Sequence, residues 1–82
     1  MKVTIECFGA MREFLPDDAD GNRATVEVRE GATVGDVVDA LGAPRRLVHA
    51  LLVDEVQGDL GQTLHEGAAV TLMPSFSGGT TT

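Results

Sequence analysis

The stretch Thr33-Val34-Gly35-Asp36-Val37-Val38-Asp39-Ala40-Leu41-Gly42-Ala43-Pro44 decides the fold. Val34, Val37, Val38 and Leu41 recur at the spacing of one face of an α-helix, an apolar stripe between polar neighbours. The Thr33 hydroxyl can accept from the free backbone N–H groups of the first turn, and Asp36 stands at the capping-box position, a weaker occupant than Glu. Gly42 can adopt the left-handed stop, and Pro44 prevents continuation. The β-branched valines are mediocre helix formers, so packing against a sheet must supply most of this helix's stability.

The sheet is legible on both sides of the helix. Val3, Ile5 and Cys7 alternate with Lys2, Thr4 and Glu6, and Ala24, Val26 and Val28 alternate with Thr25, Glu27 and Arg29. That is the period of two half-buried strands, plausible antiparallel partners with one wet face each. Between them, Ala10–Leu15 has room for one or two helical turns with Met11, Phe14 and Leu15 on one face, before a turn-rich stretch around Pro16, Asp20 and Gly21. Downstream, Ala50-Leu51-Leu52-Val53 reads as a buried strand and Val70-Thr71-Leu72-Met73 as another, with Leu60 and Leu64 in short irregular connections and a turn at Gly67. Strand, strand, helix, strand, short pieces, strand predicts an α+β domain: a mixed sheet of four to five strands packed on one main helix.

Composition narrows the function. Eighty-two residues make one domain, and 43% apolar content is too high for a disordered chain. One cysteine excludes an internal disulfide, and with two histidines makes a structural zinc site improbable. No apolar run reaches the ~20 residues of a membrane span, and Met1–Phe8 is too short and acidic for a secretory signal, so the expected compartment is the cytoplasm. Net charge is −7, and all six cations lie in residues 1–46; four acids and no Lys or Arg follow Arg46. Such a C-terminal half is repelled by nucleic acid and anionic lipid and suits a basic protein surface.

The chain ends Met73-Pro74-Ser75-Phe76-Ser77-Gly78-Gly79-Thr80-Thr81-Thr82. Pro74 removes a backbone donor, Gly78-Gly79 removes two side chains, and the segment is expected to continue neither helix nor sheet. The expected division is a domain over residues 1–76 and a flexible tail over 77–82. Other chemically suggestive residues read as structural. Cys7 lies on the apolar side of its strand, without a cation to lower its pKa. His49 and His65 lack an acid at telling spacing, and Arg45-Arg46 reads as a solvated pair at the helix end. No phosphate loop or nucleophile–base pair is present, so the chain is expected to be a substrate of catalysis rather than an enzyme, binding no cofactor or metal itself.

In order and spacing these segments resemble the MoaD/ThiS family of sulfur carrier proteins. The resemblance rests on the Thr33–Leu41 helix, on Leu51-Leu52-Val53-Asp54-Glu55-Val56, on Leu60, Leu64, Gly67 and Val70–Pro74, and on the terminal Ser77-Gly78-Gly79. It implies the ubiquitin-like β-grasp fold. It further implies that an E1-like adenylating enzyme activates the Gly79 carboxylate with ATP. A sulfur donor then converts it to a thiocarboxylate, and a sulfur-accepting synthase takes the sulfur. The acceptor pathways of such carriers include molybdopterin, thiamine thiazole, cysteine and secondary metabolites. On this reading Gly78 and Ser77 belong to the tether, and Phe76, Pro74 and Met73 to the docking region. Phe76 either anchors in a partner's pocket or packs at the end of the last strand.

Three features depart from the family pattern. Thr80-Thr81-Thr82 follow the second glycine, so Gly79 has no free carboxylate until a C-terminal peptidase removes them. Asp54-Glu55 stands where Asn-Gly is common and is less suited to positive φ. Met73-Pro74-Ser75 replaces the usual Phe-Pro-Pro. Two other functions share this sequence logic: a ubiquitin-like protein modifier joined through Gly79 to a lysine, and a non-catalytic β-grasp interaction module.

Overall fold

Thr33 caps the helix as its sequence predicts. In the computed structural model, which describes residues 1–74, α1 spans Val34–Leu41. The Asp36 N–H donates to Thr33 Oγ1 at 3.1 Å, and the Thr33 N–H donates to Asp36 Oδ2 at 2.9 Å. The other free amides of the first turn find backbone carbonyls: Val34 N–H donates to Gln62 O at 3.0 Å and Gly35 N–H to Leu60 O at 2.8 Å. The segment that reads as a mere connection between strands is therefore part of the helix cap, held down by the buried Leu64. Gly42 closes the other end at φ 80°, a left-handed conformation that costs glycine little. We expect Thr33→Ala to cost about 1 kcal/mol, which lowers the melting temperature of a domain this size by roughly 4–8 °C in calorimetry.

Five strands form one sheet: β1 (Lys2–Cys7), β2 (Arg23–Glu27), β3 (Val48–Val53), β4 (Val56–Gln57) and β5 (Ala69–Pro74), in the spatial order β2-β1-β5-β3-β4. The two chain ends supply the central pair, β1 and β5, which run parallel, while every other pair is antiparallel. Val3, Ile5 and Cys7 of β1, Leu51 and Val53 of β3, and Val70 and Leu72 of β5 point to the α1 side. They form one core with Val34, Val37 and Val38. Burying each such side chain stabilises by roughly 1.5–3 kcal/mol relative to exposure.

The expected helical turns are present as a 3-10 helix over Gly9–Phe14, which buries Met11 and packs Phe14 and Leu15 on the core. Three local expectations need correction. Leu52 is only half-buried, because α1 covers one face of the sheet and Leu52 lies on the other. Pro74 is the last residue of β5, not the first residue beyond it, since an end position does not require its missing N–H. Arg45 is not simply solvated: its guanidinium makes a two-pronged pair with Asp39 at 3.0 and 2.9 Å. A Cβ at Gly35 would come within 2.8 Å of that guanidinium, so a larger residue there would make the Arg45 side chain shift.

Candidate functional site

The candidate site is the place where the chain leaves β5. Pro74 lies opposite Val48 and Met73 opposite Ala50, so β3 flanks the exit on one side. On the other side β1 runs parallel to β5, and just beyond its end the Phe8 N–H donates to Leu72 O at 3.1 Å. Phe8 is 38% exposed, one of two large apolar residues that stand out on the surface of the described chain. Sequence reasoning passed over it. The signal was available: Phe8 continues the alternation on the polar side of β1, where a large aromatic side chain is out of place.

Met73 is half-buried on the open face of the sheet, beside Ala50, with Leu52 further along β3. Pro74 is buried, so it offers a partner the end of the strand more than a free ring. Phe76, Ser77, Gly78 and Gly79, and the division between residues 76 and 77, lie outside the described residues.

The rest of the described chain holds little that resembles catalysis. Cys7 is fully buried, and burial pushes its thiol up to about 11, so little thiolate forms near neutral pH. His65, which sequence spacing left without a partner, does have one: its Nε2 lies 2.7 Å from Asp54 Oδ2. The hydrogen bond to Asp54 raises the imidazole above its ordinary value. This pair sits where β5 begins, about 17 Å along the strand from Pro74, too far to act on a group leaving the sheet at the other end. Among the described residues no three metal-ligating side chains gather, and no helix is long and apolar enough to cross a membrane.

A helix grasped by a mixed sheet whose central parallel pair joins β1 and β5 defines a ubiquitin-like β-grasp protein. The chain belongs to the Mut7-C ubiquitin family, whose model matches residues 1–79, within the wider MoaD/ThiS group. It is 33% identical to the molybdopterin synthase sulfur carrier subunit of Mycobacterium tuberculosis, across 96% of this chain and 99% of that protein. Among solved structures it is similar to SAMP1 of Haloferax volcanii, with a TM-score of 0.69 and 25% identity over 92% of this chain and 96% of that one. A Pyrococcus furiosus protein assigned as molybdopterin converting factor subunit 1 shares the fold, with a TM-score of 0.66 at 18% identity over 89% of this chain and 95% of that one.

Proposed function

We propose that the protein is a sulfur carrier whose working group is the Gly79 carboxylate, exposed after Thr80–Thr82 are removed. The family match that ends at Gly79 is the observation that carries this reading, and the sulfur carrier subunit of M. tuberculosis supports it. A free carboxylate is a poor electrophile. Attack of its oxygen on the α-phosphorus of ATP, in the site of an adenylating enzyme, gives an acyl-adenylate and releases pyrophosphate. Sulfide-level sulfur from a donor then attacks the acyl carbon, AMP leaves, and the resulting thiocarboxylate is carried to an acceptor synthase.

The body of the protein serves this chemistry by delivery. Ser75–Gly79 span at most about 18 Å when extended, so the body must dock close to the partner's active site. Phe8, Met73 and Ala50, at the root of the tail, are suited to meet the partner there, and two glycines keep the tether thin. Ordering those residues costs roughly 1–2 kcal/mol each, which docking must offset.

The likeness to SAMP1 supports a second reading, in which the same adenylate is captured by a lysine amine of another protein. Mass spectrometry of the protein recovered from its own cells separates the two. We expect a chain ending at Gly79 with one terminal oxygen replaced by sulfur. A Gly79–lysine conjugate in place of the thiocarboxylate selects the modifier, and a chain that still ends at Thr82 in cells active in sulfur transfer overturns both.

A further inference from the structure

The β3–β4 turn is built from residues that should resist it. Asp54 has φ 53° and Glu55 φ 71°, both left-handed, where Asn-Gly would be comfortable. Asp tolerates this conformation, but for Glu it costs roughly 1–2 kcal/mol. The turn forms all the same, because Asp54 is held from three directions. Its N–H donates to Ala69 O at 2.8 Å, its Oδ1 accepts from Ala69 N–H at 3.0 Å, and its Oδ2 lies 2.7 Å from His65 Nε2. The carboxylate thus takes the place of the missing backbone carbonyl opposite the first residue of β5.

The ring of His65 is engaged at both nitrogens, and both partners are acceptors. Nδ1 lies 2.9 Å from the backbone carbonyl of Glu66, and Nε2 faces the Asp54 carboxylate. A neutral imidazole has one N–H and one lone pair, so it can satisfy only one of these contacts and directs its lone pair at the other oxygen. Only the imidazolium donates at both contacts. We infer that doubly protonated His65 is a lock on the strained β3–β4 turn, and that its deprotonation weakens the hold on Asp54 and loosens the edge strand β4 while the rest of the sheet stays closed.

The charged residues on the segments that meet His65 are Asp54 and Glu55 on the turn, Glu66 next in the chain, and Lys2 on β1. The Lys2 N–H holds the Glu66 carboxylate at 3.1 Å, and it is Asp54 whose charge acts on the ring. The sign is set by this pairing. The imidazole is raised from 6.5, chiefly by the Asp54 hydrogen bond, so the lock is complete below that value and is lost as pH rises through the higher folded value. The Asp54 carboxyl is lowered from 3.8, chiefly by the His65 hydrogen bond, so on the acid side the lock is lost only as pH falls through that lower value.

The test is NMR on the intact protein. The Gly58 amide, which donates to Leu51 O at 3.1 Å, reports on β4, and the Cys7 amide, which donates to Asn22 O at 2.9 Å, reports on the opposite side of the sheet. We expect the His65 ring to titrate above 6.5. Between pH 6 and pH 8.5, Gly58 protection corrected for intrinsic exchange should fall at least about threefold while Cys7 protection holds. Asp54→Asn keeps the left-handed turn and an acceptor for Ala69 but not the charge, so the ring should titrate lower than in the wild type and the pH dependence at Gly58 should vanish. Glu55→Gly should raise Gly58 protection at both pH values. The inference is overturned by a His65 ring that titrates at or below 6.5, by Gly58 protection that ignores pH, by loss at Cys7 in step with Gly58, or by an Asp54→Asn variant that keeps the wild-type response.

Discussion

In a chain ending at residue 79, Gly79→Ala is expected to slow ATP–pyrophosphate exchange by the cognate adenylating enzyme about a hundredfold, with thermal unfolding unchanged. The two halves of this expectation have separate causes. Activation requires the terminal carboxylate to reach the α-phosphorus of ATP in line, at the end of a narrow path through another protein. A Cβ at that residue excludes backbone angles open to glycine and widens the tether where clearance is least. A misplacement of about 1 Å at the reacting atom is enough for a loss of that size. Stability should not move, because the core of the described domain is built from residues up to Leu72, ahead of the tail. Wild-type exchange rates in the variant would remove the chemistry from Gly79, and a lowered melting temperature would show that the tail belongs to the packed body.

Val37→Asp should do the reverse and abolish cooperative unfolding altogether. Val37 is 1% exposed, in the middle of α1, and shares its cluster with Ile5, Val70 and Leu72 of the central strand pair. The substitution forfeits roughly 1.5–3 kcal/mol of apolar burial and places a carboxyl group where no buried polar partner exists among the described residues. Even if the carboxyl takes up a proton, leaving its donor and acceptor unsatisfied costs a further 1–3 kcal/mol or so. Domains of this size have little more than about 5 kcal/mol in hand. Far-UV circular dichroism should show no sigmoidal thermal transition for Val37→Asp. A two-state transition within a few degrees of the wild type would mean that the core is not organised around α1 as described.

The parts of the fold that could be read from the sequence were those set by short-range periodicity. The alternation Val3-Ile5-Cys7 is a strand because side chains in a strand alternate between faces, and Thr33 with Asp36 is a cap because both bonds close within four residues. What stayed hidden involves partners far apart in the chain. Leu52 looked buried until the sheet proved to be covered on one side only. Phe8 gained its place beside the tail root from the parallel pairing of β1 with β5. His65 and Asp54 are eleven residues apart, a spacing that carries no local signal, and they meet only because β3 and β5 are neighbours.

From its letters alone, then, this chain determined one helix, the strands that bury its valines, and a glycine pair suited to a thin terminus, since each depends on a residue's nearest neighbours. Only the tertiary structure decided which strand would sit at the centre, which face would stay open, and why Asp54-Glu55 could occupy a turn that favours Asn-Gly. Those outcomes depend on contacts between distant segments. A local preference of about 1–2 kcal/mol is readily overruled once several such contacts form together.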